Sequence, residues 1–374
     1  MSSARPLHFC FISMEAYATL CPGVAAEAGG AGFQLVQIAQ ALRDRGHPVS
    51  FVVGDYGQPF HEQLQGFDIW RANQVAHDRS YRRALLNLWR LWRAMRAARA
   101  DVYMLRSTRF LNGQCWLFCR ALGARYGFMV ANRSNCLAND REGVPGILNT
   151  LHARALAGAD LVTAQTMDQQ VLIRREFGVD PPVVPNGITT DEAVPGAEDR
   201  EFDVLWVGSL KPVKQPHVLV DLASRMPHRS FAVVGGAGED HAYHEQVVEQ
   251  LTSLPNVTVV GFVPPDEVGR WYARSRLFLN TSLHEGYPNT FLYSWTRGTP
   301  VCSLLVDPDG EVAGQGLGLV DEDMDQLVIG MENLLADEDA WSQCSRRCCQ
   351  WVAQAHGVET TADRFLAAWD EVLS

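Results

Sequence analysis

Strand-like apolar runs separated by helix-length stretches recur along almost the whole chain, and this alternation leaves few folds open. HFCFIS is followed by the glycine-rich AEAGGAG. Next comes a segment from Phe33 to Arg45 with Leu35, Ile38 and Leu42 on one helical stripe, and then, past Gly46, PVSFVVGD. Strand, helix and strand in that order form a βαβ unit, which implies a parallel sheet. ADVYMLRS, RYGFMVAN and ADLVTAQT extend the series. After Asp180 the texture changes: DPPVVPNGITTDEAVPGAEDREF is rich in proline, glycine and acid, the composition of a domain boundary. A second series follows, FDVLWVGSL, SFAVVGG, NVTVVGFV, RLFLNTS and TPVCSLL. The pattern predicts two successive α/β domains, 1–187 and 188–374, with the last helix free to cross back to the first. In doubly wound sheets ligands bind outside the carboxyl ends of the strands, which places the expected crevice between the two domains.

The 374 residues suffice for two domains with proper cores. A net charge of -11 argues against general nucleic-acid binding, which needs phosphate-neutralising surface. No apolar run approaches a membrane span, and Leu7–Ile12 is too short for a signal peptide and reads as a first buried strand. The nine cysteines are scattered, with Cys115 and Cys119 four apart on an apolar helix, so reduced thiols, no metal site and a cytoplasmic location are expected.

Three constellations carry chemistry. Glycines before the first long helix, Gly30 among them, let backbone approach a ligand and leave helix N–H groups for an anion; a plain tight turn explains them as well. In VGSLKPVKQP, Lys211 and Lys214 follow a strand, where two flexible cations suit a diphosphate, or are merely solvated loop lysines. In HEGYPNTFLYSWTRGTPV, Pro288 is expected at the first helical position and Tyr287 cannot cap the helix. The N–H groups of Asn289, Thr290 and Phe291 are then available to an anionic ligand. Glu285 beside them is suited to sugar hydroxyls, and Phe291, Leu292 and Trp295 form the buried stripe. A short core helix with an incidental glutamate is the alternative.

RSYRRALLNLWRLWRAMRAARA, Arg79–Ala100, holds seven arginines and no acid. Leu85, Leu88, Trp89 and Trp92 line one side, and Arg90, Arg93, Arg96 and Arg99 lie largely elsewhere. Such a helix either covers a sheet or rests on an anionic membrane surface.

In this order the pieces resemble the retaining, GT-B-fold glycosyltransferases, the family that includes sucrose synthases and bacterial lipid mannosyltransferases. GGAGFQLVQIAQALRDRGHPVSFVVGD, VVPNGI, WVGSLKPVKQP, VVGGAGE, NVTVVGFVPPDEVGRWYARSRLFLNTS and EGYPNTFL…GTPV carry the resemblance, and DPDG at Asp307–Gly310 fits the segment after them. The resemblance implies two Rossmann-like domains facing a central cleft, the amino one for the acceptor and the carboxyl one for the donor. It implies that Lys214 contacts the donor diphosphate, that Glu285 contacts the donor sugar, and that Gly286, Tyr287, Pro288, Asn289 and Thr290 hold sugar and phosphate. Val263 matches a backbone contact to the nucleobase, and Gly30 the loop over the phosphates.

Three positions depart from the pattern. Tyr293 stands where a second glutamate binds ribose, Ser209 replaces an arginine with Lys211 nearby to compensate, and Arg106–Ser107 replace a histidine. The expected activity is retaining, metal-independent sugar transfer from a nucleotide-diphosphate sugar, UDP-sugar first, with no resident cofactor. The expected acceptor belongs to glycan, polysaccharide or glycolipid synthesis, and is met by loops Arg106–Phe110 and Asn132–Arg141. A catalytically weak or inactive nucleotide-sugar-binding partner protein on the same fold is the alternative, and a nucleotide-sugar epimerase a third. Peripheral contact with the inner face of a membrane through residues 79–100 is a further expectation.

Overall fold

The computed structural model describes residues 5–21, 23–24, 30–73, 81–138, 146–190, 196–238 and 240–374. The chain forms two compact units, Met1–Gly187 with Val358–Ser374, and Ile188–Gly357.

The first unit is built on β1 (Phe9–Ile12), β2 (Val49–Val53), β3 (His61–Leu64), β4 (Phe67–Arg71), β5 (Val102–Arg106), β6 (Arg125–Met129) and β7 (Leu161–Thr163). They form one seven-stranded sheet in the order β3-β4-β2-β1-β5-β6-β7. Every residue of β1, β2 and β5 is buried, as expected of strands covered on both faces. The edge pair is different: β3 and β4 run antiparallel, and β3 is the polar tetrapeptide HEQL, which carries no apolar signal in the sequence. The first strand starts at Phe9 rather than Leu7, and the first long helix runs Gly30–Asp44, beginning three residues before and ending one residue before the expected Phe33–Arg45.

The last helix, Val358–Leu373, belongs to the first unit. Phe365 and Trp369 pack in one buried cluster with Phe9, Phe11, Leu35 and Leu42. A side chain at Gly127 of β6 would sit 2.3 Å from the Met104 sulfur and 2.9 Å from the Trp369 ring, so the helix docks only because this residue has none. At the surface Arg45 pairs with Glu359 at 2.6 Å and Asp363 at 2.7 Å.

The second unit contains β8 (Phe202–Val207), β9 (Phe231–Val234), β10 (Val257–Gly261), β11 (Ser275–Asn280), β12 (Val301–Ser303) and β13 (Gly318–Val320). All pair in parallel, in the order β10-β9-β8-β11-β12-β13. Phe291, Leu292 and Trp295 are fully buried on one face of this sheet, and Leu219, Leu222 and Leu277 on the other. All nine cysteines are free thiols, with Cys115 and Cys119 in the core of the first unit.

The two sheets share a logic. In the first, chain order reverses between β1 and β5; in the second, between β8 and β11. At such a switch point the connections from adjacent strands leave in opposite directions and open a crevice at the carboxyl ends.

Candidate active site

In the second unit the loops after β8 and β11 meet at the switch point. Gly208, just past β8, donates its N–H to Val234 at 3.0 Å. The neighbouring strand end comes so close that a Cβ on Gly235 would lie 1.7 Å from the Gly208 carbonyl oxygen, so VVGG requires a glycine there. The chain then makes a turn over Pro212–Lys214, passes Gln215 in the left-handed region (φ 47), and enters the helix Pro216–Arg225 with proline at its start. Thr281, just past β11, donates to the Lys214 carbonyl at 2.6 Å and accepts from Trp206 Nε1 at 2.9 Å. Leu283 N–H donates to Val213 at 2.9 Å.

These ties bring Lys214 and Glu285, 71 residues apart, into a direct ion pair between Nζ and Oε1. Ser282 Oγ donates to the same carboxylate oxygen at 2.8 Å and is itself placed by Asn280, whose Oδ1 accepts the Ser282 N–H at 3.2 Å. The Lys214 and Glu285 side chains are 28% and 16% exposed, so the pair is reachable from solvent while largely desolvated.

The helix beside this pair runs Asn289–Thr296. Pro288 is not its first helical residue, as expected from sequence, but the extended residue before it (φ -70, ψ 114), and no side chain caps this end. The Phe291 N–H is also not free: it donates to Pro288 O at 3.1 Å, closing the first turn. Asn289 and Thr290 are half-buried rather than covered. Gly286 is half-buried in the same loop, and the Tyr287 ring turns inward.

The Tyr287 hydroxyl donates to Glu311 Oε2 at 2.5 Å and lies 2.9 Å from His356 Nε2, which is 3.2 Å from the same carboxylate oxygen. Burial alone would push the Glu311 carboxyl up. The hydrogen bonds and charge of His356, with the Tyr287 hydroxyl, reverse this and hold it below the usual carboxylate value. Neither Glu311 nor His356 stands out in the sequence, because each is remote from the segment that it supports.

The remaining sequence-selected residues of this unit lie around the same loops. Ser209 and Lys211 are half-buried; Lys211 N–H donates to Ser209 O at 2.7 Å, and its side chain runs past Gly238. The Val263 side chain is buried in the core. Its neighbour Phe262, which the sequence reading passed over, is 59% exposed beside Gly236. Tyr293 stacks on Tyr272 with ring centroids 6.1 Å apart and planes at 16°, and burial pushes its phenol well above the usual value.

In the first unit Gly30 is the first residue of its helix; the preceding glycine loop, 25–29, lies outside the described residues. Arg106 ends β5 at the switch point, and its Nη2 donates to Asn186 Oδ1 at 2.7 Å. Ser107 follows at φ 67. Arg109 is structural: it donates to the carbonyls of Ser134 and Leu137, each at 2.7 Å, and of Ala138 at 3.0 Å, and so shapes the loop beginning at Asn132. Residues 139–141 of that loop lie outside the described residues.

The basic helix spans Tyr81–Ala98. Its buried face is Leu91, Ala94, Met95 and Ala98. Leu85, Leu88 and Trp89, part of the apolar side marked by the sequence, are 52%, 36% and 53% exposed. Arg93 stacks over Phe60 at 3.9 Å, and Phe60, Trp89, Trp92, Arg93, Arg96 and Arg99 line a shallow hollow of about 580 Å³. Among the described residues no helix is long and apolar enough to cross a membrane.

Two parallel-sheet α/β units, each with a loop-lined switch point, define the GT-B class of fold. Residues 28–192 match the family described as "Glycosyltransferase Family 4", and residues 201–337 match "Glycosyl transferases group 1". The chain belongs to the GT-B-fold glycosyltransferases. D-inositol 3-phosphate glycosyltransferase of Rhodococcus opacus (strain B4) is 27% identical over 237 residues, 50% of this chain and 53% of that protein. The chain thus spans about half the length of that curated relative. Sucrose-phosphate synthase from Thermosynechococcus elongatus is similar over 99% of both chains, with TM-score 0.79 and 16% identity. A glycosyltransferase from Rickettsia africae is similar over 99% of this chain and 100% of that one, with TM-score 0.75 and 13% identity. At these identities the two structures speak to fold alone.

Proposed function

We propose that this chain is a retaining glycosyltransferase whose second unit binds a nucleotide-diphosphate sugar. The observation that carries the proposal is the Lys214–Glu285 ion pair at the second switch point, beside the uncapped helix at Asn289. Without donor, the carboxylate neutralises the ammonium. A diphosphate brings more charge, and the helix N-terminus adds a favourable field, so it displaces Glu285 as the partner of Lys214. Glu285, still held by Ser282, then accepts hydrogen bonds from sugar hydroxyls.

As the bond from sugar to phosphate breaks, negative charge builds on the leaving diphosphate, where Lys214 and the N–H groups of Asn289 and Thr290 stabilise it. Such preorganised electrostatics usually supply the largest part of catalysis. On this reading the leaving phosphate takes the acceptor proton, and neither a metal nor a resident cofactor is needed. Gly286, Tyr287 and Pro288 shape the loop under the sugar, the backbone at Val263 meets the base, and Ser209, Lys211 and Gly30 are assigned to the phosphates. Tyr293 offers the ribose at most one hydrogen bond where a carboxylate would clamp both hydroxyls. UDP-sugars are the first donors to test, and acceptors in glycan, polysaccharide or glycolipid synthesis the first class.

A thermal-shift and calorimetric panel of nucleoside diphosphates and their sugars tests this directly. Selective stabilisation by one base, lost in Lys214→Ala, supports the reading; no binding by any member removes it. Retention is read from the anomeric configuration of the product by NMR. We further assign the exposed face of the helix Tyr81–Ala98 to contact with an anionic lipid surface, because apolar side chains and arginines share it.

A further inference from the structure

The first unit has its own switch point, between β1 and β5, and its chemistry differs from the second. Ser13 follows β1 and Arg106 ends β5, side by side at the carboxyl edge, since Ile12 pairs with Leu105. Arg106 is only 5% exposed. Among the described residues its one hydrogen-bond acceptor is the neutral amide oxygen of Asn186, and its Nε lies buried with no partner there. No described carboxylate forms an ion pair with it. Burial alone holds the guanidinium down at about 10, still charged at neutral pH.

A guanidinium has five N–H donors, and stripping it of water without a counter-charge is expensive. Arg200, another deeply buried arginine at 8% exposed, makes the contrast: it donates to the carbonyls of Tyr272, Ser275 and Arg297 and to Thr299 Oγ1. Both terminal nitrogens of Arg200 are thus engaged by backbone or hydroxyl acceptors, whereas Arg106 engages only Nη2 among the described residues. A latch on Asn186 would also not require it, because the adjacent Gly187 is already held through both its N–H and its carbonyl by Gln34 at 2.9 Å.

We propose that Arg106 is the cation of an anion-binding subsite at the first unit's switch point, so that the substrate bound there carries a carboxylate or phosphate group. This rests on the transferase reading only in calling that substrate the acceptor. The planar fork matches either group through two parallel hydrogen bonds, and an anion supplies the counter-charge that no described carboxylate provides. A neutral sugar hydroxyl leaves the charge uncompensated, so the subsite discriminates by charge.

The test uses the full chain and three probes at matched ionic strength: inorganic phosphate, glucuronate and neutral glucose. Binding is followed by calorimetry and thermal shift in wild type, Arg106→Met, Arg106→Lys and Lys214→Ala. The expected result is that phosphate or glucuronate still binds Lys214→Ala, which lacks the donor-site ammonium and keeps Arg106, and that the wild type binds it at least about tenfold more tightly than Arg106→Met. Arg106→Lys keeps the charge and loses the fork, and falls between. The phosphate and glucuronate arms separate the two anion sources. Arg106→Met is expected to melt close to wild type, since an apolar group of similar size replaces an uncompensated buried charge.

An anion response equal in Arg106→Met and wild type overturns the proposal, as does a wild type that does not distinguish anions from glucose. If Arg106→Met does not fold, the wild-type contrast and Arg106→Lys decide. The donor reading fails separately: loss of all nucleotide binding leaves these arms intact.

Discussion

Tyr287 and Glu311 are joined hydroxyl to carboxylate at 2.5 Å, directly beneath the loop that presents Glu285, and His356 touches both. The contact fixes the Gly286–Pro288 turn from below. Tyr287→Phe removes the donor and leaves a largely buried carboxylate short of a partner, at a cost of about 1–3 kcal/mol in denaturant unfolding. The Glu311 carboxyl sits below its usual value in the folded state, so its contribution is present above the ordinary carboxylate pKa and is lost as pH falls through the lower folded value. Glu311→Gln should therefore flatten the fall in stability below about pH 4.3. An unchanged acid limb in that variant would show that the carboxylate is not the titrating group.

Lys214 and Glu285 are expected to act separately in function and jointly in stability. Lys214→Ala should lower kcat by roughly 10²–10³ with the fold intact, as removal of a charge-stabilising donor commonly does. Glu285→Gln keeps the size but not the acceptor strength, and should chiefly weaken selection of the sugar. Because the pair is partly desolvated, a double-mutant cycle on unfolding free energy should give a coupling of about 1 kcal/mol. Wild-type turnover in Lys214→Ala would remove that residue from the mechanism.

What could be read in advance follows physical range. The βαβ alternation is local and periodic, so both parallel-sheet units are legible from residue types alone. Lys214 and Glu285 are legible as motif members, but their pairing depends on β8 lying beside β11, a relation of sheet order that no local pattern carries. His356 is 69 residues from Tyr287 and leaves no local trace. The strand at His61–Leu64 is polar because an edge strand needs no second apolar face. On the basic helix, Leu85 and Trp89 obey the same spacing that buried residues would, and only the packed structure shows that Leu91 and Met95 are the core face.

His152 provides a second acid-sensitive element, in the first unit. It is fully buried, with Asn112 Nδ2 2.7 Å from its Nδ1 and the Asn135 carbonyl 3.2 Å from Nε2. Burial, helped by the charge of Arg109, holds the imidazole down at about 4. The unfolded chain protonates this residue first, near pH 6.5. Its stabilising contribution is thus complete above that pH and is lost as pH falls toward 4, by roughly 2–4 kcal/mol in all. Urea unfolding between pH 7.5 and 4.5 should show this slope, and His152→Gln should reduce it. A slope that survives the substitution would assign the effect elsewhere.

The exposed face of the helix Tyr81–Ala98 yields the last prediction. Leu85, Leu88 and Trp89 stand in solvent, and Arg90, Arg93, Arg96 and Arg99 have no carboxylate partner among the described residues. On an anionic bilayer the apolar groups enter the interface while the arginines meet lipid phosphates, and each contact of the latter kind contributes about 1 kcal/mol at low salt. Liposome flotation should recover the protein with vesicles containing about a third anionic lipid, and not with neutral ones. Charge reversal of Arg90, Arg93 and Arg96 should abolish recovery, and Trp89→Ser should weaken it at any salt. Because these residues lie outside the described donor site, turnover with a soluble acceptor should be unchanged in the same variants. Flotation indifferent to lipid charge would mean that the face serves another partner.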